Sequence, residues 1–181
     1  MTLEMIIIAI VRVLGSLPVL RWPLIGGLIA VLVDLSDLFM MNLLHLGGVR
    51  DYQSFDKYLD QVYLLNFLIV SRRWEPLLRN VALSLYLYRL LGFLVFEFAG
   101  DRDILLFFPN FFEFWFLAVA GLKFFRIKPR WSNGWLLGAG AFLVGLKVFQ
   151  EYAIHYRRWL DSFTAVEAVE AVWRWLGAPF H

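Results

Sequence analysis

The chain has 181 residues, 61% of them hydrophobic, with mean hydropathy +0.67, above the roughly 45–50% apolar content of soluble domains. Its formal net charge of +2 is too small to argue for a nucleic-acid partner, and with no cysteine it has neither a disulfide framework nor a thiolate metal site. The apolar residues lie in long runs rather than stripes, which predicts an all-α polytopic bundle in a lipid bilayer, a single domain over 1–181, in the plasma membrane of a prokaryote.

Six apolar segments are expected. The first, 3–20, is interrupted by Arg12, Gly15 and Pro18 and is short enough to span or to lie in the interface; it starts without the basic region of a cleavable signal. The second, 23–46, opens at Pro23, suited to a first helical turn, and ends at Gly47 and Gly48. The third, 54–73, has Ser54 as its expected N-cap and Asp56 in its first turn. The fourth, 76–99, opens at Pro76; the fifth, 103–125, is expected to kink at Pro109.

The sixth, 133–156, carries Gly134 and Gly138 at the spacing of a small-residue packing face, a weak signal for a homodimer. In the tail, 160–177, Thr164, Glu167, Glu170 and Arg174 line one side and Val166, Val169, Val172, Trp173 and Leu176 the other. That pattern predicts an amphipathic helix on the membrane surface. Trp22, Trp74, Trp131, Trp135 and Trp159 fall at segment ends, as an interfacial belt does.

Basic residues set the orientation. Arg72, Arg73 and Arg79, with Lys123, Arg126, Lys128 and Arg130, outnumber Arg50, Lys57 and Arg102 in the intervening turns, so the first two groups belong in the cytoplasm. Arg157 and Arg158 then fall outside.

Acids inside apolar segments are the candidates for chemistry, because a carboxylate in hydrocarbon costs a few kcal/mol. Gly27, Ala30, Asp34, Asp37 and Met41 share one helical face, and Asp56, Asp60 and Tyr63 another. If the two segments form a hairpin, their four carboxylates converge and repel unless cations or protons intervene. Such oxygens suit Mg²⁺ or another hard divalent ion. The competing expectation is a polar core of internal ion pairs using Arg12 and Arg89, with Glu97 on the Arg89 face.

Weaker candidates are Asn110 and Glu113, beside a proline kink whose carbonyls would face a cation, with the plainer expectation that Asn110 caps the kink and Glu113 pairs with Arg89; and the row Lys147, Glu151 and His155, a proton relay or, more plainly, a local Lys–Glu pair. A proton- or ion-coupled transporter would be built on Asp34, Asp60, Arg89 and Glu113.

The pattern Asp34-x-x-Asp37 followed by Asp56-x-x-x-Asp60 resembles the CDP-alcohol phosphatidyltransferase signature over 34–60. That family is also small and places its motif across its second and third membrane helices. The resemblance implies that Asp34, Asp37 and Asp56 hold divalent metal, and that Asp60 is a ligand or the base for an attacking hydroxyl. Leu38 and Tyr52 replace the signature glycines, Met41 and Asn42 replace its Ala-Arg, and the second acidic pair lies one residue further on.

Overall fold

The computed structural model describes residues 2–37, 40, 52–100 and 104–127 and, singly, 138, 140, 141 and 145. The expected tail helix 160–177, most of the sixth segment with Gly134, Lys147, Glu151 and His155, and Trp131, Trp135 and Trp159 lie outside these residues. Among the described residues the structure is helical, with no strand.

Helix α1 (Leu3–Ser16) begins at Thr2, whose hydroxyl accepts from the Met5 amide at 3.2 Å. Its buried stripe is Glu4, Ile8, Arg12 and Ser16, at every fourth position, so Arg12 turns inward with the core rather than outward to water. Pro18 cannot continue the α-helical hydrogen bonding, and the chain tightens into a 3-10 turn, Leu17–Leu20. Pro23 then starts α2 (Pro23–Leu35). Gly26 makes the reversal compact: a Cβ there would lie 2.2 Å from the Val19 nitrogen and 2.3 Å from the Pro18 carbonyl carbon.

Helix α3 (Tyr52–Ser71) already includes Ser54, so Ser54 is inside the helix rather than its N-cap, and Asp56 lies beyond the first turn. Helix α4 (Pro76–Ala99) starts at the expected proline. It ends at left-handed Gly100 (φ 67°), whose amide donates to the Phe96 carbonyl at 2.8 Å. At Pro109 the fifth segment breaks instead of kinking: α5 (Ile104–Phe107) and α6 (Phe111–Phe124) are separated by non-helical Phe108, Pro109 and Asn110. Asn110 restarts the chain as the α6 N-cap, accepting from the Glu113 amide at 3.4 Å.

Helices α1 and α2 pack against each other and against α3, while α6 packs on α2, α3 and α4. The apolar core lies among α2, α3, α4 and α6, around Phe67, Phe112, Phe116, Leu64, Leu78 and Val119. Phe67 stacks on Phe116 with centroids 4.0 Å apart, and Trp74 stacks on the same ring at 5.3 Å. Trp74 is therefore a buried core residue although it ends its segment, whereas Trp22 is exposed.

Large apolar side chains also cover the outside, among them Leu14, Leu32, Leu35, Leu87, Leu91 and Phe98. Two stretches, Leu3–Leu20 and Pro76–Ala99, are long and apolar enough to cross a membrane, and in the most apolar 18 residues of each a 28% share is buried inside the protein.

Candidate functional site: an aspartate cage around Arg12

Four carboxylates from α2, the residues just beyond it and α3 meet one guanidinium from α1. Arg12 Nη1 donates to Asp37 Oδ2 and to Asp56 Oδ1, each at 2.8 Å. Its Nη2 donates to Asp60 Oδ1 at 2.8 Å and pairs with Asp34. The planar fork of arginine can serve several carboxylates at once, which a lysine ammonium matches less well. Arg12, Asp37 and Asp60 are buried; Asp34 and Asp56 are partly exposed at one side of the cage.

Local sequence explains the convergence. Asp34 and Asp37 continue the face of α2 on which Gly26, Gly27 and Ala30 are buried. Gly26 and Gly27 leave the 3-10 turn and α6 room to approach: a Cβ on Gly27 would meet Leu117 at 3.0 Å and Phe116 at 3.2 Å. Asp56 and Asp60 are one turn apart on α3 and face α1 together.

Two further cations complete the cluster. Lys57 Nζ donates to Asp56 Oδ2 at 2.6 Å and to Asp60 Oδ2 at 3.1 Å. Arg89, buried on α4, stands 3.6 Å from Asp60 Oδ2 and donates from Nη1 to the Phe108 carbonyl at 2.8 Å. Among the described residues, Arg12, Lys57 and Arg89 stand against the four carboxylates, three cations to four acids. One oxygen each of Asp34, Asp56 and Asp60 lies within 4.8 Å of the other two, a spacing that a hard cation ligated at about 2.3–2.6 Å can bridge.

The remaining expected residues fall elsewhere. Glu113 accepts from the buried Tyr63 hydroxyl at 2.8 Å and from Asn110 Nδ2 at 3.0 Å, which also reaches the Tyr63 oxygen at 3.0 Å. Tyr63 follows Asp60 on α3, so this second polar group lies beside the cage. Glu97 is exposed at the end of α4, where it accepts from Tyr58 at 2.8 Å, outside the cage. Sequence reasoning placed Lys57 among loop charges; its position between Asp56 and Asp60, three residues before Asp60, was the available signal. Asn66 donating to Ser16 at 2.8 Å, a second polar link between α1 and α3, was also missed. Comparison with protein-family models, curated proteins and solved structures returns no match.

Proposed function

We propose that the chain is a polytopic integral membrane protein of about six helices whose acidic core, held together by Arg12, binds a cation. The membrane part is supported by the two apolar stretches and by the apolar side chains exposed on the bundle. The cation part is carried by one observation: among the described residues four carboxylates converge on three cations, and three of those carboxylates are close enough to share an ion. The donor set, carboxylate oxygen alone, fits Mg²⁺ or Ca²⁺. Arg12 draws on the same oxygens, so ion and guanidinium compete, and Arg12 sets the affinity.

Thermal unfolding of the detergent-purified protein against Mg²⁺ or Ca²⁺ tests this. A site filled at one hundred times Kd stabilises by about 2.7 kcal/mol. The stabilisation is expected to grow in Arg12→Gln and to vanish in Asp60→Asn. Unfolding curves that ignore both ions in the wild type and in Arg12→Gln would sink the reading and leave an ion-pair core with a purely structural role.

A second reading follows the resemblance to the CDP-alcohol phosphatidyltransferases. In its favour, Asp34, Asp56 and Asp60 come together from the segments that the resemblance assigns to metal binding. Asp60 would then hold the metal or take the proton of the attacking hydroxyl. Metal-dependent binding of a cytidine nucleotide, lost in Asp34→Asn, would establish it; nucleotide that fails to bind with Mg²⁺ present would remove it.

A further inference from the structure

At the other end of the helices from the aspartate cage lies a cavity of about 250 Å³, between the start of α2, the end of α3 and the end of α6. Trp22, Trp74 and Phe124 supply aromatic walls, and Arg21 and Lys123 supply positive charge. Leu24 and Ile25, also in the lining, belong to the first turn of α2, which no side chain caps. Ile25 and Phe124 of the lining, with neighbouring Phe125, also present apolar surface to the exterior. Arg72, Arg73, Arg79 and Arg126 belong to the same end of the bundle, where Glu75 is the acid among the described residues. Lys123 is shared with Glu75, its Nζ donating to the two carboxylate oxygens at 2.6 and 2.9 Å on the protein surface.

We propose that this cavity is a headgroup site for an anionic phospholipid. The phosphate meets Arg21 and Lys123, the tryptophans sit at headgroup depth, and the acyl chains run down the apolar flank of Ile25 and Phe124. Charge complementarity selects the occupant: a basic rim with aromatic walls beside exposed apolar surface suits a ligand that is anionic at one end and greasy at the other. Glu75 moderates the site by holding Lys123. This inference rests on the membrane reading.

An alkaline carbonate wash of membranes separates the two ideas. A chain released by carbonate overturns the membrane reading; a retained chain allows the lipid test. Protein in detergent micelles doped with equal phosphatidylglycerol and phosphatidylcholine is then weighed by native mass spectrometry. One phosphatidylglycerol is expected to be retained in preference, the preference falling about fivefold for each cation removed in Arg21→Gln and Lys123→Gln. Glu75→Gln, which frees Lys123, is expected to raise it, a gain that a merely structural role would not produce. Equal retention of the two lipids by the wild type, or a preference untouched by the double substitution, overturns the headgroup site.

Discussion

Arg12 of α1 ties together acids from the α2 segment and from α3. It is buried, and its guanidinium reaches acids at positions 34, 37, 56 and 60. Removing one partner of a buried charge network leaves the others uncompensated, at a cost of about 3–5 kcal/mol. Arg12→Met is therefore expected to lose at least about 3 kcal/mol of stability in a denaturation series, and Arg12→Lys, which keeps charge but loses the fork, distinctly less. A methionine variant that unfolds with the wild type would show that the cage contributes nothing to stability. The acids themselves were legible in the sequence, because charge inside an apolar run is conspicuous. Ion pairing of these acids with Arg12 and Arg89 was also expected; that the one Arg12 guanidinium would reach all four acids was not, because it depends on how α1 docks against α3, a contact between residues more than forty positions apart.

Among elements, the tight places are where glycine faces backbone or a ring. Besides Gly26 against the 3-10 turn, a Cβ on Gly92 of α4 would lie 2.2 Å from the Phe108 Cβ, at the break before α6. Gly121 of α6 has its nearest neighbour, Leu24, at an ordinary 3.9 Å. Gly26→Ala and Gly92→Ala are expected to destabilise by about 1–3 kcal/mol each through overpacking. Gly121→Ala is expected to be neutral or to stabilise by about 1 kcal/mol, since alanine is the better helix former. Thermal melts of the three variants check the ranking, and a Gly26→Ala protein as stable as Gly121→Ala would contradict the close packing of α2 on the turn. Proline positions gave away the starts of α2 and α4. The break at Pro109 was foreshadowed only as a kink, because whether a proline bends or ends a helix depends on what receives the freed backbone groups. Here the Phe108 carbonyl is taken by Arg89 and the restart is capped by Asn110. Ser54 misled for a related reason: serine caps a helix only where the chain upstream is not already helical.

On the scale of the whole molecule, charge is divided unevenly between the two ends of the described bundle. Among the described residues, acids stand around the end of α2, the start of α3 and the end of α4, whereas Arg21 lies in the turn joining α1 to α2, Arg72 and Arg73 in the turn joining α3 to α4, and Arg126 after α6. Arg21 adds to the basic end beyond the loops weighed from sequence. In the membrane reading the basic end faces the cytoplasm. The chain has no cysteine, so Arg73→Cys and Asp101→Cys each provide one thiol. On intact cells an impermeant maleimide is expected to label the second and spare the first. The reverse pattern would turn the protein over and place the acidic cage on the side where the phosphatidyltransferase-like chemistry belongs. The helical class was legible from composition alone, and the aromatic end was half legible: Trp22 is exposed as expected, while Trp74 is claimed by its stack on Phe116.

The distribution of the cage along the chain bears on biogenesis. Arg12 leaves the ribosome first, Asp34 and Asp37 follow with α2, and Asp56 and Asp60 come only with α3. A lone arginine near the middle of an inserted helix costs about 2.5–3.5 kcal/mol by translocon measures. In a bilayer, α1 would therefore gain its first partners, Asp34 and Asp37, only with the α2 segment, and those acids in turn would be fully matched only with α3, which ties the insertion of the first three helices together.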